Sequence, residues 1–197
     1  MTVRWLYERH LARQLAELPG HICVLLSDRD LAAAPGKLRE CVDWCRELGI
    51  GGVIFHISTA DPDGLAAYLP EIRRIADRAH LTLHCGETTE HAGEGMEVTV
   101  AIGKSGREEI AGCIRRMAED GLDPGLVDEH TFEDYLTFPY APDLVIKTGG
   151  DHLTDFLIWQ SVYSELFFSD VNWPLFRRLD LLRALRDYQS RARRFGR

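Results

Sequence analysis

The chain has 197 residues, of which 45% are hydrophobic and 27% charged, and its formal net charge is −8. This length suits one α/β domain with a full core better than two domains. No apolar run approaches the roughly 20 residues that span a bilayer, and the negative net charge argues against a general nucleic-acid binder.

Hydrophobic periodicity divides the first half of the chain into alternating helices and strands. An amphipathic helix is predicted over 5–18, within an N-terminal segment 1–20 that could dock on the body of the protein or on a partner. Its mixed charges argue against strong lipid binding. A peripheral contact with a membrane surface stays an open alternative. The polar segment 87–95, with two glycines, is predicted to be an exposed loop. The other predicted elements are strands over 22–26, 53–57, 81–85 and 96–102 and helices over 37–48 and 70–79.

The second half of the chain continues this alternation. Strands that alternate with helices predict an α/β fold with a central, mostly parallel sheet flanked by helices, as a single domain over 1–197. The predicted elements are a helix from the cap Ser105 to Gly121, a short helix over 128–135, a strand over 144–146, a long helix over 155–168 and a basic helix within 177–197.

The cysteines and the N-terminal residues indicate the compartment. The five cysteines are scattered and odd in number, which predicts a reducing cytosol. Cys41 and Cys45 lie four residues apart on one predicted helix face, and we interpret them as buried small hydrophobic residues rather than a metal pair. Residues 1–18 lack a continuous apolar core, so we expect no secretory signal and a cytoplasmic protein.

The positive charge is concentrated in the C-terminal segment 177–197. Eight arginines face two aspartates there, a local net charge of +6. The segment can be a solvated amphipathic helix with an arginine-rich face. It can also bind an anion, because guanidinium groups match the oxygens of phosphate.

The segment 143–174 carries the most specific motif of the chain. It reads D-L-V-I-K-T-G-G from Asp143 and, after a short turn, D-F-L-I-W-Q-S-V-Y-S-E-L-F-F-S-D-V-N-W-P. It resembles the signature of the cis-prenyltransferase family, the enzymes that make undecaprenyl and other polyprenyl diphosphates: D-L-x-I-R-T-G-G, then N-F-L-L-W-Q-x-x-Y-x-E-L-Y-F-x-D-x-x-W-P. Further similarity lies in residues 44–50, 58–59, 106–110 and 193–196, and residues 6–11 are similar to archaeal members in particular.

The resemblance implies condensation of isopentenyl diphosphate onto an allylic diphosphate primer, with Mg²⁺, inside a hydrophobic tunnel. In the family the primer site is a loop after the first strand that reads D-G-N-x-R, continued by R-x-x-G-H. This chain has Ser27 at the position of the family aspartate, followed by Asp28, Arg29 and Asp30. Asp28 or Asp30 could shift into the metal position, but acidic neighbours repel a diphosphate and no glycine-rich turn accompanies them. Because the family's S-x-E-N-W is replaced by S-T-A-D-P from Ser58, we expect a dismantled primer site.

The resemblance also implies that part of the isopentenyl diphosphate site is retained. Lys147 stands where the family has a diphosphate-binding arginine, which keeps the charge and loses the bidentate fork. Gly149 and Gly150 follow it, and Thr154 replaces a family serine in a turn that is one residue shorter. Glu165 matches the metal-assisting glutamate of the family, although the aspartate that would share the metal is missing.

The C-terminal residues match the R-x-G motif of the family through Arg194 and Gly196, with Arg193 beside them. In dimeric members this motif reaches the neighbouring subunit and contacts its substrate diphosphate. The leading hypothesis is therefore a non-catalytic subunit of a heterodimeric cis-prenyltransferase, whose partner has an intact D-G-N-x-R loop. The alternatives are an active homodimer with an altered primer site and a protein that binds isoprenoid diphosphates without turnover.

Overall fold

A seven-stranded, mostly parallel sheet forms the centre of the molecule. A computed structural model describes residues 3–86, 88–138, 141–150 and 156–191. The strands are β1 His21–Ser27, β2 Gly52–Ser58, β3 His80–Cys85, β4 Thr88–Ala92, β5 Glu97–Ile102, β6 Leu144–Thr148 and β7 Glu165–Ser169. They lie in the order β4-β3-β5-β2-β1-β6-β7, and only β4 is antiparallel to its neighbour. The predicted fold class is confirmed.

Helices cover both faces of this sheet. They are α1 Val3–Gln14, α2 Asp28–Ala33, α3 Lys37–Leu48, α4 Leu69–Arg73, α5 Gly106–Glu119, α6 Glu129–Asp134 and α7 Arg178–Ser190. Short 3₁₀ turns lie at Asp63–Tyr68, Arg74–Asp77, Pro124–Leu126 and Trp173–Leu175. Among the described residues, no helix combines the length and the hydrophobicity that crossing a membrane requires.

Alternate residues of the strands enter two separate cores, as buried parallel strands require. Val24 of β1 and Phe55 of β2 belong to the larger core, which also contains buried residues of α3 and α7. Leu25 and Ile54 point to the opposite face and pack with Phe138, Phe156 and Leu157. Cys41 and Cys45 are fully buried in the larger core, which confirms their role as small hydrophobic residues.

Three predictions for the first half of the chain are wrong. Residues 88–92 form the edge strand β4 instead of part of a loop, and they pair with β3 in register Thr82↔His91. Their side chains are largely exposed, so an edge strand with threonines lacks the apolar alternation that would have predicted it. The helix predicted over 70–79 is a five-residue α4 flanked by 3₁₀ turns, and the N-terminal helix ends at Gln14 rather than at 18.

The long helix predicted over 155–168 is also wrong. Its last residues belong to β7, which pairs in parallel with β6 from Leu144↔Glu165 to Thr148↔Ser169. Phe167 packs on the larger core and Leu166 on the smaller one, which is the alternation of a strand. A short run of apolar and aromatic residues fits both periods, so the helical spacing was ambiguous here.

The 3₁₀ turn Trp173–Leu175 offers a test of this core. The Trp173 side chain is fully buried, with its ring centroid 6.2 Å from Phe55 and 5.8 Å from Phe176. We expect Trp173→Ala to lower the free energy of unfolding by about 3–5 kcal/mol, because it removes a large buried ring and leaves a cavity. Leu175, two residues away, is 68% exposed, and Leu175→Ala should change stability by less than about 0.5 kcal/mol in the same urea titration.

Candidate functional site

The carboxyl ends of β1, β2 and β6 meet at one edge of the sheet, the position at which open α/β sheets bind ligands. Ser27, the last residue of β1, is paired with Ser58, the last residue of β2. On the other side of β1, Leu25 is level with Lys147 of β6. The structure thus brings Ser27, Ser58 and Lys147 to a common edge, as the resemblance implied.

Ser27 is held in a reciprocal cap at the start of α2. Its hydroxyl donates to Asp30 Oδ2 at 2.7 Å, and its backbone N–H donates to the same oxygen at 2.9 Å. The backbone N–H of Asp30 in turn donates to Ser27 Oγ at 3.2 Å. This is a capping box with aspartate in the usual glutamate position. Ser27 and Asp30 therefore stabilise a helix terminus at the place where the family has its metal-binding loop.

Asp28 is another carboxylate at this edge. Its Oδ2 lies 3.5 Å from Thr59 Oγ1, and its Oδ1 accepts from the backbone N–H of Arg29 at 2.6 Å. Within the described part of the chain, no three His, Cys, Asp or Glu residues are grouped so that they could hold a metal ion. Mg²⁺ usually binds one or two carboxylates together with waters and substrate phosphates. Asp28 could supply one such ligand, whereas the carboxylate of Asp30 is engaged in the cap with Ser27.

Lys147 carries the positive charge at this edge. It lies on the same side of the sheet as its neighbour Leu25 and is half-buried. Its Nζ donates to the carbonyl oxygen of Thr148 at 3.0 Å. An ammonium group in this position can contact a phosphate oxygen as a point charge, but it cannot form the two parallel hydrogen bonds of a guanidinium.

The two glycines after β6 have backbone conformations that favour glycine. Gly149 has φ 62° and Gly150 has φ 136°. A Cβ atom at Gly149 would overlap Asn172 Oδ1, and the Gly149 N–H donates to the carbonyl oxygen of Ser169 at 3.0 Å. Among the residues that the structure describes, nothing lies within 4 Å of a Cβ atom at Gly150. Gly149 is therefore required for packing against Asn172, whereas Gly150 is favoured by its positive φ alone.

Glu165 lies at the opposite end of the sheet from Ser27. It is level with Leu144, which is paired with Ile22 of β1. Ser27 is five residues further along β1, a separation of about 16 Å at about 3.3 Å per residue. Within one chain, the structure does not bring Glu165 to the position of the missing family aspartate. Its carboxylate instead accepts from Arg191 Nη1 at 2.9 Å.

A buried polar cluster that we did not predict connects the family motifs. Glu109 of α5 accepts from the backbone N–H groups of Thr137 and Phe138, at 2.8 and 3.2 Å, and from Gln160 Nε2 at 3.4 Å. Gln160 is 6% exposed and donates to the carbonyl oxygen of Phe138 at 3.1 Å. Glu109 lies in the matched motif G-R-E-E-I and Gln160 in F-L-I-W-Q. Their place in these motifs was the signal from which the sequence could have predicted their importance. These hydrogen bonds hold Gln160 and the backbone at Phe138 against α5.

Gly106, at the first position of α5, allows this close packing. A Cβ atom there would overlap the carbonyl oxygen of Phe156. The predicted residues Thr154, Arg193, Arg194 and Gly196 lie outside the described part of the chain, so their roles remain predictions.

The fold and this edge define an α/β protein with a candidate ligand site at the carboxyl ends of its strands. Residues 70–196 match the family model described as putative undecaprenyl diphosphate synthase. The chain is 32% identical to the tritrans,polycis-undecaprenyl-diphosphate synthase (geranylgeranyl-diphosphate specific) of Methanocaldococcus jannaschii, over 97% of this chain and 88% of that protein. It is 34% identical to an isoprenyl transferase of Thermus thermophilus, over 98% of this chain and 95% of that protein. The chain therefore belongs to the undecaprenyl diphosphate synthase family of cis-prenyltransferases.

Solved structures agree on the fold. A probable undecaprenyl diphosphate synthase from Campylobacter jejuni superposes with a TM-score of 0.70 at 22% identity, over 92% of this chain and 99% of that chain. Lavandulyl diphosphate synthase from Lavandula x intermedia, solved with dimethylallyl diphosphate, gives a TM-score of 0.68 at 22% identity, over 91% and 99%.

The chain is shorter than the region of its relatives that it matches. The alignment with the Methanocaldococcus protein extends over 247 positions, whereas this chain has 197 residues, so at least 50 positions have no counterpart here. One short connection is visible at the candidate site, where only residues 28–36 separate β1 from α3. A shortened chain is consistent with the expectation that the primer site is reduced.

The Glu109 cluster predicts a dependence of stability on pH. Burial raises the pKa of Glu109 above its usual 4.5, although hydrogen bonds from Phe138, Thr137 and Gln160 oppose the shift. The native state then binds the proton more tightly than the unfolded state, so this contribution to stability is present below about pH 4.5 and is lost as pH rises through the folded pKa. Glu109→Gln removes the titrating group.

We therefore expect wild type to lose free energy of unfolding relative to Glu109→Gln as pH rises from about 4.5 to about 7. Urea unfolding at several pH values measures this difference. Glu108→Gln, which removes an exposed charge from the same helix turn, is the control. A difference between wild type and Glu109→Gln that does not vary with pH would contradict the prediction.

Proposed function

We propose that this chain is the auxiliary subunit of a heterodimeric cis-prenyltransferase that elongates an allylic diphosphate with isopentenyl diphosphate. The observation that carries the proposal is the capping box of Ser27 and Asp30, which occupies the position of the family's metal-binding loop. A partner with an intact D-G-N-x-R loop would supply the primer site and most of the ligands of the Mg²⁺ ion. This chain would contribute Arg194 and Gly196, with Arg193, to the diphosphates bound by the partner.

The position of α7 supports a contribution in trans. The helix begins after the turn that follows the carboxyl end of β7, and Arg191 at its end contacts Glu165 at the amino end of that strand. The helix thus ends at the end of the sheet that is remote from Ser27 and Lys147 in the same chain. A tail that begins there is better placed to reach a neighbouring subunit.

The edge strand β7 and the turn before it form the surface that we propose as the contact with the partner. Val162 is 65% exposed, Tyr163 77% and Phe168 42%. Among the described strands, β7 has a neighbour only on the side of β6, so the other side of β7 offers backbone groups for pairing with a partner. Large apolar side chains beside an open strand edge are typical of an interface between subunits.

A second candidate function is an active homodimer, which the names of the relatives favour because they are synthases and transferases. Lys147, Gly149 and Gly150 would then serve a site within this chain, with an altered primer loop. A third candidate function is binding of isoprenoid diphosphates without turnover. It would use Lys147 and require no partner.

Incubation with radiolabelled isopentenyl diphosphate, an allylic diphosphate and Mg²⁺ separates these functions. We expect the purified chain alone to form no polyprenyl product, and a complete family member from the same genome to elongate faster when this chain is added. Arg194→Ala should assemble with the partner but lower the activity of the heterodimer by about 10-fold or more, because it removes a charged contact to diphosphate.

Substantial elongation by the chain alone would exclude the auxiliary role and favour the homodimer. If adding this chain changes neither the activity nor the oligomeric state of the complete family member, the result favours binding of isoprenoid diphosphates without turnover. Equal activity of wild type and Arg194→Ala in the heterodimer would remove the tail from the mechanism.

The proposed contact surface has its own test. Tyr163→Glu places a charge in the exposed apolar surface, and we expect it to weaken association with the partner by about 10-fold or more because the charge must be desolvated. Leu126→Glu, at a position that is also exposed (71%) but lies in the 3₁₀ turn Pro124–Leu126, is the matched control. Sedimentation or biolayer interferometry with the partner compares the two, and an equal loss of affinity would argue against this surface.

A further inference from the structure

Three charged side chains meet where α7 ends. Arg191, the residue after the helix, donates from Nη1 to Glu165 Oε2 at 2.9 Å. The same guanidinium contacts Asp187 Oδ2 through Nη2 at 2.6 Å and through Nε at 2.7 Å. The hydrogen bond to Glu165 is the main cause that raises the pKa of Arg191 above its usual value. Arg191 is thus fixed from two directions, by its own helix and by β7.

This network joins two elements that are far apart in sequence. Asp187 and Arg191 are one helical turn apart, and the helix itself is packed on the core through buried residues as far as Tyr188. Their contact alone would leave Arg191, the residue after the helix, without a side-chain bond to the sheet. The bond to Glu165 adds a connection to the first residue of β7, whose backbone is held in the sheet by the pairing with Leu144. The guanidinium is planar and its donors have fixed directions, so two carboxylates on different sides define its orientation.

The contribution of this network to global stability should be small. The side chains of Arg191, Glu165 and Asp187 are 37%, 31% and 39% exposed, and ion pairs in such positions contribute about 1 kcal/mol or less. A contact that adds little to stability can still determine the direction of the chain that follows it. Here the backbone of Arg191 is already extended, with φ −83° and ψ 133°.

The reach of the chain after Arg191 makes this direction important. Arg194 is three residues further on, so its Cα lies at most about 10 Å from that of Arg191. Leu144 is the strand neighbour of Glu165. Gly149 is five residues after Leu144, so Gly149 and Glu165 are separated by about 16 Å along the strand direction. The position at which Arg191 is held therefore limits what any contact three residues further along the chain can reach.

We propose that Glu165 is a positioning residue that holds Arg191, and thereby sets the point from which residues 192–197 enter the active site of the partner subunit. The inference rests on the proposed function and deepens it, because it assigns Glu165 to the placement of the tail rather than to metal binding. Asp187 completes the grip on the guanidinium.

The test compares conservative and disruptive variants in the assembled heterodimer. Glu165→Ala and Arg191→Ala should each lower kcat/KM for isopentenyl diphosphate by about 10-fold, because the tail loses its starting point and misplaced contacts cost large factors in rate. Glu165→Gln should stay within about threefold of wild type, since its amide oxygen still accepts from Arg191. The Mg²⁺ concentration for half-maximal activity should not change in any of the three.

Controls separate positioning from charge and from assembly. Arg186→Ala removes one exposed positive charge from the same helix and should leave kcat/KM within about twofold. Because Glu165 begins β7, which is also the proposed contact with the partner, the affinity of each variant for the partner is measured at equilibrium and kcat/KM is compared at saturating partner. We expect the loss of kcat/KM to persist under saturation, and full recovery there would show that the variants act through assembly.

Two outcomes would overturn the inference while the proposed function stands. If Glu165→Gln is as damaging as Glu165→Ala and raises the Mg²⁺ requirement, Glu165 is a metal-binding residue of the assembled enzyme. If Arg194→Ala lowers activity but Arg191→Ala does not, the tail needs no anchor. If Arg194→Ala has no effect, the role of the tail in the proposed function fails, and the anchoring role fails with it.

Discussion

The register of β1 with its two neighbours is the constraint on which the arrangement of this protein depends. Ser27 is paired with Ser58 on one side, and Leu25 is level with Lys147 on the other. Buried parallel strands cannot slip by one residue, because each side chain would move to the opposite face. The same register continues through β6 to β7 and fixes Glu165 at the other end of the sheet. The polar residues of the family motifs are thereby divided between two ends of one rigid sheet.

The capping box at Ser27 uses backbone donors that a phosphate-binding loop leaves free. A loop that binds phosphate presents free backbone N–H groups to the ligand. Here the N–H of Asp30 donates to Ser27 Oγ, and the N–H of Ser27 donates to the Asp30 carboxylate. A side-chain cap of this kind stabilises a helix by about 1 kcal/mol. The same donors cannot serve a cap and a ligand, and two carboxylates within α2 oppose an anion.

The fold could be predicted from the sequence because its strands are continuous apolar runs and its helices have regular spacing. The edge strands could not: β4 is polar on both faces, and the apolar residues of β7 fit a helix as well as a strand. At the candidate site, the sequence identified Ser27 and Lys147 through the motifs. It did not predict that Glu165 would be remote from Ser27 or that Glu109 would bind Gln160, because both depend on how distant segments pack.

The separation of Ser27 from Glu165 suggests how a chain with a reduced primer site can keep a family function. In the proposed function the two ends of the sheet are under different constraints: one would bind substrate in the same chain, and the other would support a tail that acts in the partner. The first end has a helix cap at Ser27. The second has Arg191, held by two carboxylates, three residues before Arg194. A change at the first end would not require a change at the second, because the rigid sheet lies between them.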